Sequence, residues 1–83
     1  MTLSLTLLGR PGCHLCRDMR ALVERLIRGT KVALVERNIE EDEALLRRYA
    51  LLIPVLLAGE REIARYRIDE PALRERLREL GAE

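Results

Sequence analysis

The spacing of apolar residues changes several times along the chain, and each change predicts a new element. Residues 3–8 alternate between apolar and polar and then turn apolar on both sides, which predicts a strand buried at its C-terminal end. Over residues 15–27, apolar side chains recur every three or four positions, which predicts a helix with one buried face. Arg25, Arg28 and Gly29 suit the C-terminal end of this helix. Its apolar face comprises Leu15, Cys16, Met19, Leu22, Val23, Leu26 and Ile27.

The next segment predicts a buried strand followed by a short helix. Residues 32–35 are continuously apolar, which indicates a strand that is covered on both faces. Residues 38–42 are polar and acidic, and either Asn38 or Asp42 can cap a helix over residues 44–50. The side chains expected on the buried face of that helix are Leu45, Leu46 and Tyr49.

The last third of the chain predicts a hairpin and a terminal helix. Residues 53–57 form an apolar strand with Pro54 near its start, where a missing N–H group is tolerated. A tight turn leads into residues 61–68, whose mixed faces suit an antiparallel strand at a sheet edge. Asp69 caps the last helix, and Pro71 falls in its first turn. The side chains that line one side of this helix are Leu73, Leu77 and Leu80.

The resulting order, β-α-β-α-β-β-α, predicts an α/β fold with a four-stranded mixed sheet flanked by three helices. Two strands joined through a helix pair in parallel, whereas the closing hairpin adds antiparallel strands. The 83 residues suffice for one core and contain no linker or repeat, so we expect a single domain over residues 1–83. Phe and Trp are absent, so the core has to be built from aliphatic side chains.

Composition and charge narrow the classes of partner. A formal net charge of +1 and an aromatic content of only two tyrosines argue against a nucleic-acid partner. No apolar run approaches the length of a membrane span, and the N-terminus lacks the basic region and cleavage site of a secretory signal. We therefore expect a cytoplasmic protein with no membrane partner. In that compartment, two closely spaced cysteines favour catalysis or metal binding over a structural disulfide.

Both cysteines and the only histidine lie where the first strand gives way to the first helix. Cys13 and Cys16 are one helical turn apart, close enough to be joined by a disulfide without moving the backbone. Cys13 is the candidate nucleophile, because the unpaired N–H groups and positive dipole end of a helix start stabilise a thiolate. Cys16 faces the core and is the candidate resolving thiol. Arg10, His14 and Arg17 are candidates for tuning the redox chemistry through positive charge.

The same residues are compatible with two other kinds of function. Zinc normally takes four ligands, and the chain offers only Cys13, His14 and Cys16, so a metal or iron–sulfur carrier would need a second chain. A non-catalytic module that recognises a protein partner is the other alternative, although two intact cysteines make it less attractive. We favour redox chemistry over metal binding and expect no bound metal or cofactor. The colour and metal content of the purified protein would separate the redox protein from the carrier.

Several longer motifs resemble the thioredoxin fold in its minimal glutaredoxin form, and more closely the small bacterial glutaredoxin-like proteins. The resemblance runs from about residue 3 to residue 80. The motifs that carry it are Arg10-Pro11-Gly12-Cys13-His14-Leu15-Cys16, Asn38-Ile39, Leu46-Arg47-Arg48-Tyr49, Ile53-Pro54-Val55-Leu56 and the Asp69 that opens the last helix.

The resemblance implies a role for the residues at the start of the third predicted strand. It implies that the Ile53–Pro54 bond is cis and faces the dithiol, with the backbone of Ile53 free to pair with a bound thiol substrate. It also implies a disulfide-containing protein or small molecule as substrate, with glutathione among the candidates. The implied electron donor is a reductase or glutathione, and we expect the protein to act as a monomer.

The chain also departs from the glutaredoxin pattern. Glutaredoxins usually carry Pro-Tyr or Pro-Phe between the cysteines, where this chain has His14-Leu15. They also have two glycines before the last helix, whose N–H groups hold the glutathione carboxylate, whereas residues 65–69 contain no glycine. The acidic core residue of many thioredoxins has no counterpart in residues 3–8. We therefore expect glutathione to bind more weakly and less specifically than in a standard glutaredoxin.

Overall fold

The apolar patterns fold into the expected order of strands and helices. The computed structural model describes residues 3–81. Its elements are β1 (Ser4–Gly9), α1 (His14–Ile27), β2 (Ala33–Asn38), α2 (Glu43–Tyr49), β3 (Val55–Ala58), β4 (Arg61–Arg65) and α3 (Glu70–Glu79), with a 3₁₀ turn at Ile39–Glu41 between β2 and α2. The predicted fold class is therefore confirmed: a four-stranded mixed sheet flanked by three helices.

The strands form one sheet in the order β2-β1-β3-β4. β1 pairs with β2 in parallel, through the helical crossover of α1, and β3 pairs antiparallel with both β1 and β4. β1 is therefore a central strand with a neighbour on each side. Its C-terminal end leads directly into the loop that carries the cysteines.

Both faces of the sheet are covered near β1, which explains the two successive buried leucines at its end. On one face, Leu7 belongs to a cluster with buried side chains of α1 and α3. On the other face, Leu8 packs with Ile39, Tyr49 and Val55, so α2 and the 3₁₀ turn cover that side. The first cluster consists of Leu5, Leu7, Met19, Val23, Leu56, Ile63, Ala64, Leu73 and Leu77.

The predicted caps form in the structure. Asn38 accepts from the N–H of Glu40 at 2.9 Å and so caps the 3₁₀ turn. Asp42 accepts from the first N–H groups of α2, and Asp69 accepts from Ala72 N–H at 2.8 Å at the start of α3. Gly29 follows the end of α1 with a φ of 80°, the left-handed conformation expected of a residue after a helix cap. Local sequence thus sets where these helices begin and end.

The expectation that the second strand is covered on both faces is wrong. β2 is an edge strand, and Val35 is 49% exposed on the face away from the α1 core. Leu34 packs against that core, but the α2 cluster is centred on β1 and β3 and does not reach β2. Because one face is open, β2 continues past its apolar run to Asn38 with polar side chains.

The fourth strand is shorter than residues 61–68. β4 ends at Arg65, because Tyr66 has a φ of 62° and so leaves the extended conformation. Tyr66 N–H donates to the carbonyl of Pro54 at 2.7 Å, which ties this turn to the residue preceding β3. The segment between β4 and α3 is therefore a bent loop beside Pro54 rather than more sheet. Within residues 3–81, no helix is long and apolar enough to cross a membrane.

Candidate active site around Cys13 and Cys16

Cys13 occupies the N-cap of α1, as the sequence predicts for a residue at the start of that helix. Its backbone is extended, with φ −86° and ψ 106°, and its Sγ accepts a hydrogen bond from Cys16 N–H at 3.1 Å. The Cys13 sulfur therefore points at the free N–H groups of the first helical turn, where a thiolate is stabilised. The two sulfurs are joined in a disulfide, across a Cα–Cα distance of 5.2 Å.

The two cysteines differ in their access to solvent. Cys13 is half-buried at the mouth of the site, whereas Cys16 is 8% exposed and sits against β1. An incoming disulfide therefore meets Cys13 before Cys16. This asymmetry is the arrangement that the proposed nucleophile and resolving thiol require.

Gly9 is a site residue that the sequence reasoning missed. A Cβ built on Gly9 would lie 3.0 Å from Cys16 Sγ and 3.1 Å from Cys16 Cβ, tighter than most real Cβ contacts, so Cys16 would have to shift by a few tenths of an ångström. The end of β1 therefore needs a glycine so that Cys16 can pack directly on the backbone. A glycine at the end of a strand is a known sign of close backbone approach, and that signal was available in the sequence.

The residue before β3 also lies at this end of the sheet. Pro54 is fully buried, and the Ile53–Pro54 bond is cis. β1 and β3 pair with Leu8 opposite Val55, so continuing that register by one residue brings Pro54 beside Gly9. By this register, Pro54 is the residue opposite the glycine on which Cys16 packs.

The expected free backbone of Ile53 needs a correction. Ile53 N–H donates to the carbonyl of Tyr49 at 3.1 Å, in the turn that follows α2. The N–H group is therefore engaged within the chain, because the last turn of α2 needs a donor for its free carbonyls. Only the carbonyl of Ile53 is left as a candidate partner for a substrate backbone.

The three candidate tuning residues lie at the surface around the dithiol. Arg10 and Arg17 are exposed, one in the loop before Cys13 and one in the first turn of α1. The side chain of His14 is 77% exposed, with its Nε2 3.5 Å from a carboxylate oxygen of Asp18. Solvent screens such charges, so their effect on the sulfurs is weaker than that of the helix N-terminus.

A cleft of about 310 Å³ opens beside Cys16, on the side of α1 that faces β2. It brings together four arginines from three separate parts of the chain: Arg10, Arg17, Arg20 and Arg37. The sequence reasoning singled out only the first two. Arg20 follows Arg17 at helical spacing, which was a usable signal, but the approach of Arg37 depends on the pairing of β1 with β2.

A second groove, of about 550 Å³, lies on the opposite side of α1, facing α3. Tyr66 is 54% exposed at its rim, and Leu15, from between the two cysteines, reaches into its lining. The other side chains of this groove are Asp18, Met19, Leu22, Arg67, Ile68, Asp69 and Ala72. A basic cleft and a second groove of mixed polarity therefore flank α1 near the dithiol.

The carboxyl groups with clearly shifted pKa values lie away from the sulfurs. A hydrogen bond from Arg65 lowers the pKa of Glu62 on β4. Hydrogen bonds from Arg74 and then Arg25 lower the pKa of Glu70 at the start of α3. The Arg25–Glu70 pair joins α1 to α3, whereas the Arg65–Glu62 and Arg74–Glu70 pairs each lie within one element. Among residues 3–81, no group of three or more His, Cys, Asp or Glu side chains is arranged to hold a metal ion.

Comparison with known proteins agrees with this architecture. The chain is similar to the solution structure of protein Ne2328 from Nitrosomonas europaea, at 33% identity over 88% of each chain with a TM-score of 0.75. It is also similar to the X-ray structure of protein XcR50 from X. campestris, at 34% identity over 90% of this chain and 96% of that one, with a TM-score of 0.76.

A thioredoxin is among the similar structures as well. A mutant thioredoxin from Halobacterium salinarum matches at 26% identity over 88% of this chain and 69% of that one, with a TM-score of 0.59. No curated protein matches the chain. The family model of the Glutaredoxin-like domain matches residues 4–78, from the first residue of β1 into α3. The chain therefore belongs to the glutaredoxin-like domain family, with a thioredoxin fold.

Proposed function

We propose that the protein is a thiol–disulfide oxidoreductase that reduces disulfides through Cys13 and Cys16. The observation that carries this proposal is the position of the Cys13 sulfur, which caps α1 while bonded to a nearly buried Cys16. A helix start stabilises the thiolate that would attack, and the buried partner lies one turn away to complete the exchange.

The proposed reaction begins with the reduced protein. The Cys13 thiolate attacks one sulfur of the substrate disulfide, whose S–S bond breaks as a bond to Cys13 forms. The other substrate sulfur leaves as a thiolate and takes a proton from water. Cys16 then loses its proton to water and attacks the Cys13 sulfur, whose bond to the second substrate sulfur breaks; that sulfur leaves as a thiolate and takes a proton from water. The substrate has gained two electrons, and the protein holds the Cys13–Cys16 disulfide.

An external thiol reductant has to return the protein to its dithiol form. Either two molecules of a monothiol such as glutathione or one reductase dithiol can supply the two electrons. The half-buried Cys13 is the sulfur that such a reductant reaches first. We propose that the protein works in this way as a cytoplasmic monomer.

Trapping of the mixed disulfide tests the proposal. The Cys16→Ser variant lacks the resolving thiol, so it should accumulate a covalent adduct with a protein substrate that carries an accessible disulfide. Cys13→Ser is the matched control and should trap none. Mass spectrometry before and after treatment with dithiothreitol identifies the adduct. If Cys16→Ser traps no substrate and the native dithiol does not accelerate reduction, the protein has another function.

The same preparation identifies the electron donor. Oxidised protein is mixed in turn with glutathione and its reductase and with thioredoxin and its reductase, and consumption of the nicotinamide cofactor is followed. The donor that sustains reduction of the protein disulfide is the one that the site accepts.

A further inference from the structure

We propose that the arginine cleft beside Cys16 binds the carboxylate of an acidic side chain that flanks the cysteine of a polypeptide substrate. This inference rests on the proposed function, since it names the class of disulfide that the same site prefers. The arginine cleft is the space lined by Leu7, Gly9, Arg10, Pro11, Gly12, Cys16, Arg17, Arg20, Glu36, Arg37 and Asn38.

Charge in the cleft favours an anionic ligand. Four arginines line it against one acidic side chain, Glu36, which is already 3.4 Å from Arg20. Arg37 lies 3.5 Å from Asp42, which is itself occupied as the cap of α2. Within residues 3–81, Arg10 and Arg17 have no acidic partner within 4.0 Å. Two guanidinium groups therefore remain available for a carboxylate, which they can bind through paired hydrogen bonds.

The cleft is placed to act on substrates of the dithiol. Cys16 forms part of its wall, and the loop of Arg10 leads directly to Cys13. A group held there lies within a few residues of the sulfur that Cys13 attacks. At about 310 Å³, the cleft has room for one or two side chains, at the lower end of the range of small-ligand sites.

The groove on the opposite side of α1 from the arginine cleft favours a polypeptide substrate over a small disulfide-containing molecule. Leu15 and the half-exposed ring of Tyr66 line the groove on that side, across the dithiol from the arginine cleft. Tyr66 holds this position at a φ of 62°, a conformation that costs free energy for a residue with a side chain. A ligand that contacts both flanks has to be extended, with an acidic group on one side of its cysteine and an apolar group on the other.

Matched peptides test the proposal with the native protein. Each peptide carries one internal disulfide, with Glu, Gln or Lys beside one cysteine and an unchanged leucine on the other side. Single-turnover reduction by the pre-reduced protein gives a second-order rate constant, which is divided by the rate constant for dithiothreitol to remove intrinsic reactivity. We expect the Glu peptide to react about tenfold faster than the Gln peptide, and the Lys peptide to react slowest. High salt should reduce the difference, because it screens the exposed charges.

Variants of the cleft complete the test. The double variant Arg10→Gln and Arg17→Gln should lose the preference for Glu, measured as the ratio of its rate constants for the Glu and Gln peptides, whatever its rate with the Gln peptide. Arg28→Gln, an exposed arginine at the far end of α1, removes one charge without touching the cleft and should keep the preference. Circular dichroism of each variant checks that it is folded, and the peptide series on the native protein does not depend on any variant.

The outcomes separate the two proposals. Equal rates for the Glu and Gln peptides would overturn the role of the cleft and leave the redox function intact. If the double variant instead loses activity only toward glutathione disulfide, the cleft binds the carboxylates of a small molecule, and the polypeptide assignment is wrong. Failure to reduce any peptide would reject the redox function together with this inference.

Discussion

The Cys13 sulfur is the residue-scale feature on which the chemistry depends. Its hydrogen bond from Cys16 N–H at 3.1 Å places it at the start of α1, where the partial positive charge of the first turn is concentrated. Cys16 has the same chemistry but faces β1 and is 8% exposed. The difference between two identical thiols therefore comes from their places on α1.

Brief alkylation of the reduced protein should label Cys13 in preference to Cys16. Slightly below neutral pH, iodoacetamide reacts with accessible thiolates, and only Cys13 combines exposure with stabilisation of the thiolate. Peptide mapping by mass spectrometry gives the ratio of the two labels. Denatured protein, in which both thiols are exposed, is the control and should show similar labelling. Predominant modification of Cys16 would reverse the assigned roles.

Gly9→Ala should destabilise the protein by about 1–3 kcal/mol, because the added methyl group overpacks the contact with Cys16. Chemical unfolding of the oxidised and reduced forms measures the loss, and the alkylation rate of Cys16 reports whether its side chain is displaced. Gly29→Ala is the comparison: its φ is +80° with nothing within 4 Å, so it should cost about 1 kcal/mol and leave Cys16 unchanged. A native-like Gly9→Ala protein would mean that Cys16 has room to move.

At the scale of single elements, the residues at the N-terminus of α3 stabilise this helix against the rest of the fold. Asp69 accepts from Ala72 N–H, and the carboxylate of Glu70 in the first turn receives hydrogen bonds from Arg74 and Arg25. Leu73 and Leu77 then bury the inner face of this helix in the main core. Loss of the cap therefore weakens packing as well as local helix structure.

Asp69→Ala should lower the free energy of unfolding by about 1 kcal/mol, since it removes the acceptor for an N–H group at the helix start. Asp69→Asn keeps an oxygen in the same place and should retain most of the stability. Urea unfolding, followed by circular dichroism, compares the three proteins. Equal losses in the two variants would show that charge, rather than the cap, is what matters at this position.

The lowered pKa of Glu70 predicts a pH-dependent contribution of α3 to stability. A carboxyl whose pKa is depressed in the folded state stabilises that state above its ordinary value of 4.5 and stops doing so as the pH falls through the folded value. The melting temperature of the native protein should therefore exceed that of Glu70→Gln near pH 7, and the gap should close in acid.

Glu79→Gln, at the other end of the same helix, is the control for the removal of one acidic charge. A carboxylate near a helix C-terminus is not favoured by the dipole, so this variant should be at least as stable as the native protein near pH 7. If the difference in melting temperature between the native protein and Glu70→Gln stayed constant from pH 7 to below 4.5, ionisation of Glu70 would not be what stabilises α3.

At the scale of the whole molecule, the loop between β4 and α3 separates this chain from a standard glutaredoxin site. Tyr66 N–H is bonded to the Pro54 carbonyl, and Arg67 N–H is bonded to the Arg65 carbonyl at 2.6 Å. The backbone donors that two glycines would present to a carboxylate are therefore engaged within the chain. The side chains of Tyr66 and Arg67 also occupy this loop, where the glutaredoxin pattern has glycines without side chains.

Glutathione mixed disulfides should consequently be poor substrates, with turnover that does not saturate in the range usual for glutaredoxins. Steady-state kinetics with glutathione, its reductase and a glutathionylated peptide measures this. Tyr66→Gly is the informative variant, because glycine adopts the observed φ of 62° without strain and clears the ring from the rim. Saturation by the native protein at a Michaelis constant typical of glutaredoxins would contradict the expectation.

The order of the elements and the identity of the dithiol follow from the sequence itself. Helix periodicity, strand alternation and the caps at Asp42 and Asp69 are local properties, because they depend on residues a few positions apart. The same holds for Cys13 and Cys16, whose separation of one helical turn brings their sulfurs together once α1 forms. Local patterns therefore predict most of the helices and strands of this fold, together with the Cys13–Cys16 pair at the centre of its site.

Tertiary structure alone decided which distant residues surround that centre. The edge position of β2 depends on strand order, which no local pattern encodes, so the full burial predicted for residues 32–35 was wrong. Arg37 joins the cleft only because β2 pairs with β1, and Gly9 meets Cys16 only because α1 folds back on the strand. The chain bends at Tyr66, because the N–H of this residue donates to the carbonyl of Pro54 in another part of the chain. Each of these contacts joins separate elements, and packing between elements sets distances that spacing along the chain does not.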